Sequence, residues 1–379
     1  MKILFTGGGT GGHFYPIIAI TKEIQAIAKE NRLIDVKLFY MSNSPYDAGL
    51  LFENNITFRK NSSGKIRRAK TITNHILNFF DLFKIGWGTL VSIWVVFKIY
   101  PDVIFGKGGY ASFSALLAGR ILGIPVVIHE SDSAPGKVSA WAGKFAKRIA
   151  ISYPESAQYF PANKVALTGC PIREELKTPL VAGAFEFLKL NEHVPTLLIL
   201  GGSQGAQRIN ETLINALPKL VEKYQIIHQT GKNNINAMRE VGNAVLLDNP
   251  HADRYKPFDY LNTLALRMSA GACSLVISRA GSAIFEIAAW AKPSIIIPIP
   301  EVTSHDQTRN AFNYARSGAC IVIEEKNLTT NILCAEIDRI LTRPGEVEKM
   351  VAATHTFTYP DSARKIATEI VNIALTHEG

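Results

Sequence analysis

The chain has 379 residues, 47% hydrophobic and 19% charged, a composition that argues against global disorder and a length that suggests two domains. Cys170, Cys273, Cys320 and Cys334 are dispersed with no C-x-x-C pair, which argues against a disulfide framework or a zinc site and for a reducing compartment. The formal charge is +9, and the first half carries the excess: residues 1–165 hold 20 Lys and Arg against 10 Asp and Glu, the remainder 21 against 22. The asymmetry points the first half towards an anionic partner such as phosphate, a membrane surface or nucleic acid, with a plain solvated basic face as the alternative.

The first residues run at once into an apolar strand, Ile3-Leu4-Phe5, without the length or cleavage pattern of a signal peptide, so a cytosolic protein is expected. Then comes Gly7-Gly8-Gly9-Thr10-Gly11-Gly12-His13, and a helix expected over 16–29 on Ile17, Ile20, Ile24 and Ile27. Glycines let backbone amides approach phosphate oxygens, and the helix N-terminus adds positive potential. The run also fits G-x-G-x-x-G, but a dinucleotide site calls for an acid closing the second strand. The strand expected over 36–41 is followed by Ser42-Asn43-Ser44, which disfavours that reading.

Between Asn54 and Phe80 there is no acid, whereas Arg59, Lys60, Lys65, Arg67, Arg68 and Lys70 all occur. Ile72, Ile76, Phe79 and Phe83 follow at helical spacing, so this stretch fits either interfacial membrane contact or a plain surface helix. Residues 85–100 are apolar almost all round but shorter than the ~20 needed to span a bilayer, and are expected to form a buried core helix. A strand over 103–105 leads into Gly106-Lys107-Gly108-Gly109-Tyr110 and a helix stopping near Gly123. Strands are expected at 125–128 and 149–152, the first running into His129-Glu130-Ser131-Asp132, polar residues where a parallel sheet lines its ligand crevice.

Near 160–175 the pattern restarts. A strand over 196–200 meets Gly201-Gly202-Ser203-Gln204-Gly205 and a helix over 206–217. Further strands are expected near 225–228, 244–247, 275–278, 294–297 and 320–323. After 275–278 comes Ser278-Arg279-Ala280-Gly281-Ser282-Ala283-Ile284-Phe285-Glu286, whose turn amides suit a diphosphate and whose Glu286 suits a ribose diol. The plainer alternative is a helix-start carboxylate stabilising the dipole. Ser304-His305-Asp306-Gln307-Thr308-Arg309-Asn310 is a further polar, helix-initiating stretch, and Pro360-Asp361-Ser362 caps a last helix. Two strand–glycine-turn–helix openings predict two doubly wound domains, 1–165 and 166–379, with a ligand in the cleft they face. No Asp-x-Asp pair or Cys/His cluster offers a metal grip, so no metal or other cofactor is expected, and Arg173 or Arg279 with helix termini would hold a departing diphosphate. No recognised nucleic-acid motif accompanies the basic stretch, so no nucleic-acid partner is expected.

Taken in order, Gly8–His13, the 106–110 loop, the 129–132 stretch, the 201–206 loop and the 278–286 stretch resemble the family of peripheral-membrane N-acetylglucosaminyltransferases of bacterial peptidoglycan synthesis, over nearly the whole chain. The resemblance implies an α/β glycosyltransferase-B fold of two Rossmann-like domains, with the last helix (about 361–376) returning to the N-terminal domain. It implies UDP-GlcNAc as donor on the C-terminal domain. The acceptor would be undecaprenyl-pyrophosphoryl-MurNAc-pentapeptide, met by the N-terminal domain at the cytoplasmic face of an anionic membrane. Carried over by motif, Thr10, Gly11 and Gly12 approach phosphates, Asp132 and Arg173 serve the donor site, Ser203 contacts the diphosphate with Gln204 and Gly205 beside it, Arg279, Gly281 and Ser282 line the second turn, Glu286 binds the ribose, and Gln307 contacts the GlcNAc with Asn310 nearby. His13 is the candidate general base and Glu130 a second catalytic candidate; a helix-capping His13 is the alternative. Asp132 stands where many relatives have Asn. A same-fold transferase for another lipid acceptor, and a non-catalytic nucleotide-sugar-binding protein, are the competing readings.

Overall fold

The computed structural model describes residues 1–64, 72–201, 206–300 and 307–377, with backbone alone for 72–80 and 82. The chain divides into two units, Met1–Arg173 with Tyr359–Gly379, and Glu174–Thr358. The first contains β1 (Lys2–Thr6), α1 (Gly11–Glu30), β2 (Lys37–Ser42), α2 (Ala48–Glu53), β3 (Ile56–Lys60), α3 (Ile72–Ile99), β4 (Val103–Gly106), α4 (Phe113–Ile121), β5 (Val126–Glu130), α5 (Lys137–Gly143), β6 (Arg148–Ile151) and β7 (Val165–Leu167). Its seven parallel strands run in the order β3-β2-β1-β4-β5-β6-β7. The unit extends past residue 165 because β7 pairs with β6.

The second unit contains α6 (Glu174–Lys177), α7 (Ala184–Leu188), β8 (Thr196–Leu200), α8 (Gln207–Leu220), β9 (Gln225–Gln229), α9 (Ile235–Val245), β10 (Tyr255–Phe258), α10 (Thr263–Ala272), β11 (Leu275–Ser278), α11 (Ala283–Ala289), β12 (Ser294–Ile296), α12 (Thr308–Arg316), β13 (Cys320–Val322), α13 (Thr330–Thr342) and α14 (Glu346–Thr354). Its six parallel strands run β10-β9-β8-β11-β12-β13. In each sheet the order reverses beside the first strand, at β1/β4 and at β8/β11. The loops leaving those strands therefore open a crevice at the switch point of their own unit.

Helix α15 (Ser362–His377) belongs to the first unit. Ile366, Ile370 and Ile373 join Ile17, Ile20, Ile24 and Ile27 of α1 in one core, each buried Ile worth about 1.5–3 kcal/mol. Arg364 adds ion pairs to Glu23 and Glu30, and Arg148 to Glu369.

Four expectations are corrected. Helix α1 starts at Gly11, not 16, so Gly11, Gly12 and His13 form its first turn and Pro16 lies inside it. His129 and Glu130 are the last residues of β5 rather than a following loop. The strand expected over 244–247 is the end of α9 and the turn after it, while the strand falls at Tyr255–Phe258. An apolar run of four residues carries no period, and Pro257 disguises the real edge strand.

The stretch 85–100 is not a buried core helix. It is the second half of α3, with Ser92, Val96 and Ile99 turned inward, while Phe83, Trp87, Leu90, Trp94 and Phe97 are 65%, 66%, 62%, 58% and 63% exposed. A helix apolar all round can bury only the face that meets a neighbour, here α4. The basic stretch is described only in part: Arg59 and Lys60 are exposed on the edge strand β3, and 65–71 lie outside the described residues.

Candidate active site

In the first unit the chain leaves β1 through Gly7–Thr10 and enters α1. Thr10 occupies the N-cap position with extended backbone but makes no side-chain cap bond to the helix; its hydroxyl lies 3.1 Å from Nδ1 of His13 instead. Its carbonyl accepts the N–H of His13 and of Phe14. Gly11 and Gly12 supply the first helical amides, and no acid stands in that turn. Such a terminus attracts an anion.

The loop after β4 closes on this turn. At Gly109 (φ +80°) a Cβ would lie 3.1 Å from the Gly8 carbonyl oxygen and 3.4 Å from Cε1 of His13. Only a residue without a side chain lets the two loops meet there. On the other side Tyr40 donates to the Gly7 carbonyl at 2.9 Å. Tyr15 and Tyr46 pack edge to face at 5.8 Å, and the Arg173 guanidinium stacks 3.9 Å above Tyr15, a cation–π contact that brings it to the first turns of α1.

The end of β5 serves two purposes. His129 is fully buried, its Nε2 3.0 Å from the Gly169 carbonyl and 3.1 Å from the Ser152 hydroxyl; burial first, then the Lys107 charge, holds it well below the ordinary imidazole range. Ser362 donates to the same Gly169 carbonyl, so this imidazole fastens β5 to β6 and to the start of α15. Glu130 accepts the Asp132 N–H (2.9 Å) and the Gly136 N–H (3.2 Å), one on each carboxyl oxygen. Desolvation, and after it the Asp132 charge, push its carboxyl up to about 7. With both oxygens engaged inside the unit, Glu130 has the contacts of a group that holds the turn bearing Asp132. Asp132 itself is partly exposed and receives the Ser156 hydroxyl on its carbonyl.

In the second unit the counterpart of the β1 turn follows β8, at 202–205, outside the described residues; the turn on the other side of the switch point leaves β11. Gln307 accepts the N–H of Ala280 (3.1 Å) and of Ile299 (3.3 Å) on one amide oxygen, and Asn310 donates to the Ala280 carbonyl (3.2 Å). These two side chains, from the N-cap and first turn of α12, brace the turn at Gly281 and Ser282, both partly exposed. Arg279 pairs with Glu325 at 2.6 Å and donates to the carbonyls of Ile297 and Pro298, so its guanidinium holds the ends of β12 and β13 together. Glu286 is half-buried in the first turns of α11. Ser203, Gln204 and Gly205 lie outside the described residues, as do Ser304, His305 and Asp306.

The structure thus gathers Thr10, Gly11, Gly12, His13 and Arg173 in the first unit, places Glu130 and Asp132 at the end of β5 beyond β4, and gathers Arg279, Gly281, Ser282, Gln307 and Asn310 with Glu286 on the following helix in the second. Residue reasoning passed over Tyr15, Tyr46 and Lys107. The last was signalled by a lone cation among glycines at the end of an apolar strand.

Two Rossmann-like units, each with a glycine turn at its switch point, make the glycosyltransferase-B architecture. Residues 3–151 match the N-terminal domain and 196–366 the C-terminal domain of glycosyltransferase family 28. The chain is 33% identical over 342 residues to the UDP-N-acetylglucosamine--N-acetylmuramyl-(pentapeptide) pyrophosphoryl-undecaprenol N-acetylglucosamine transferase of Clostridium novyi, covering 89% of this chain and 90% of that one. The protein of the same name from Natranaerobius thermophilus is 34% identical over 372 residues, covering 97% and 98%. Among solved structures, Acinetobacter baumannii MurG superposes with a TM-score of 0.72 at 24% identity over 98% of this chain and 99% of that one, a likeness of fold. The chain belongs to this family of N-acetylglucosamine transferases within glycosyltransferase family 28.

Proposed function

We propose that the chain transfers GlcNAc from UDP-GlcNAc to the 4-hydroxyl of the MurNAc sugar in undecaprenyl-pyrophosphoryl-MurNAc-pentapeptide, with inversion and without a metal. The observation that carries this reading is the near full-length similarity to transferases named for that reaction. The site chemistry is compatible with it. The acceptor O4 gives its proton to His13 and attacks the anomeric carbon; the C1–O bond to the diphosphate breaks, and UDP leaves with the electron pair. The Thr10 hydroxyl orients the imidazole. The amides of Gly11 and Gly12, with Arg173, suit phosphate charge, and preorganised donors of this kind are worth several kcal/mol at a developing oxyanion. Glu286 suits the ribose diol and Ser282 the diphosphate. Gln307 and Asn310 hold the turn, and Arg279 keeps the strand ends below it in place.

Membrane contact is assigned to α3. Among the described residues no helix is long and apolar enough to cross a membrane. The exposed row Phe83, Trp87, Leu90, Trp94 and Phe97 keeps one helical face, and Lys98 lies 3.8 Å over the Trp94 ring. Aromatic rings with flanking cations suit the boundary of an anionic bilayer, where the helix lies in the surface. The basic excess of residues 1–165 adds the electrostatic term.

The test is UDP release from UDP-GlcNAc with and without the MurNAc-pentapeptide lipid, in EDTA. Acceptor-dependent release that ignores the chelator is the expected result. Release indifferent to acceptor, or none, would overturn the transfer; collapse in EDTA would overturn the metal-free account.

A further inference from the structure

Tyr46 stands on the turn between β2 and α2 in a backbone conformation that a bulky aromatic residue rarely enters. Its φ is +58°, in the left-handed region, and the Asp47 N–H closes a three-residue turn around it on the Pro45 carbonyl at 2.7 Å. Strain of this kind persists where the surroundings fix a side chain in one place, and it gathers at functional sites. The place here is the start of α1. The Tyr46 ring lies 5.0 Å from that of Phe14 and 5.8 Å from that of Tyr15, centroid to centroid. A Cβ added to Gly11 would come 2.8 Å from the Tyr46 hydroxyl and 2.9 Å from the Tyr15 ring. Gly11 therefore has to be glycine for the hydroxyl to stand against the first helical turn.

The ring and the hydroxyl have separate explanations. Phe14 and Tyr15 account for the ring, and a phenylalanine would pack there as well. The hydroxyl makes no hydrogen bond among the described residues, and Tyr46 is 36% exposed. The groups beside it suit an anion. Gly11 and Gly12 supply the first amides of α1, no acid stands in that turn, and the Arg173 guanidinium lies over the neighbouring Tyr15 ring. The adjacent Asp47 carboxylate is engaged as the N-cap of α2, accepting the Leu50 N–H at 3.0 Å. A phenol has one proton to donate, and a phosphate oxygen is a strong acceptor for it.

We propose that Tyr46 is a further substrate-binding residue of the transfer reaction: its hydroxyl donates to a non-bridging oxygen of the diphosphate held at the start of α1. This rests on the transfer reading of the site. Both the lipid acceptor and UDP-GlcNAc carry a diphosphate, so the shared chemistry is that of a diphosphate oxygen. Sequence patterning does not point to the residue, because the contact with Gly11 joins two segments across the end of the sheet.

Tyr46→Phe removes the hydroxyl and keeps the ring. The experiment is steady-state kinetics of this variant and of wild type, with the lipid acceptor and UDP-GlcNAc each varied while the other saturates, together with Tm. KM for a diphosphate substrate is expected to rise about tenfold or more, with kcat at saturation nearly kept and Tm unchanged. A response in the lipid acceptor alone assigns the contact to the lipid pyrophosphate, and a response in UDP-GlcNAc alone assigns it to the nucleotide. KM unmoved for both substrates, or raised only together with a lower Tm, would overturn the proposal, since the hydroxyl would then serve packing or nothing. A wild-type chain without acceptor-dependent UDP release strikes the transfer reading instead, whereas an active wild type beside an indifferent Tyr46→Phe strikes this contact alone.

Discussion

The first turn of α1 and the first turns of α11 start from the same backbone plan and end in different side chains. Each follows the C-terminal end of a parallel strand at the point where its sheet reverses order, and each presents amides from small residues. In α1 no acid follows, and the third helical residue is His13, held by Thr10. In α11 the fourth helical residue is Glu286, and the turn before it is braced by Gln307 and Asn310 from a separate helix. A helix N-terminus offers an anion the same partial charge in both places. On the proposed reading, the side chain one turn in decides whether the site takes a proton or grips a diol. The proposed division of labour therefore rests on a handful of positions, and removing them one at a time is the way to test it.

His13→Ala should have the largest effect. If His13 takes the acceptor proton, kcat falls by about 10²–10⁴-fold while UDP affinity, measured calorimetrically, stays within a few-fold of wild type. An equal loss in UDP affinity would make α1 a donor-binding element and erase the contrast with α11. Turnover that does not change would remove His13 from the chemistry and leave it as the partner of Thr10.

Glu286→Ala should act on binding rather than turnover. Hydrogen bonds to a charged group contribute about 1.5–3 kcal/mol, so KM for UDP-GlcNAc is expected to rise by about 10–100-fold with kcat at saturation nearly kept. Steady-state kinetics at varied donor decide it. A fall in kcat with KM unmoved would show that the α11 carboxylate works on the reacting atoms, and the two turns would then share their chemistry instead of dividing it.

The turns were legible in the amino-acid sequence because glycine runs between apolar strands have few other physical readings, and Glu286 was legible because its distance from a strand end set it at a helix start. The state of neighbouring groups was not. Nothing local in Arg279 announces that Glu325 holds its guanidinium, and nothing in Tyr15 announces Arg173 above its ring, since both contacts join segments far apart in the chain. The exposed row on α3 was missed for a different reason. Apolar residues on every side of a helix report what it could bury, and only the neighbours decide how much of it they cover. The start of α1 at Gly11 was hidden by Pro16, which reads as a helix opening yet is tolerated inside because only the Gly12 carbonyl loses its donor.

The smallest effect is expected at Gln307, and it sharpens the contrast most. In the first unit the turn is clamped by close packing: Gly109 against Gly8 and His13, with Tyr40 on the Gly7 carbonyl. In the second it is held by side chains: one Gln307 amide oxygen serves both Ala280 and Ile299, and Asn310 donates to the Ala280 carbonyl. Gln307→Ala withdraws that acceptor and leaves two N–H groups to find water or each other's neighbours, a loss of about 1–3 kcal/mol seen as a lower Tm. The Ala280 N–H belongs to the turn proposed to face the diphosphate, so KM for UDP-GlcNAc should rise by roughly the tenfold that ~1.4 kcal/mol represents. Gln307→Glu keeps the accepting oxygen and should restore Tm. If it restores Tm but not KM, Gln307 contributes to the donor through its amide nitrogen as well as through the backbone it holds, and its contact with the sugar stands beside its role as a brace.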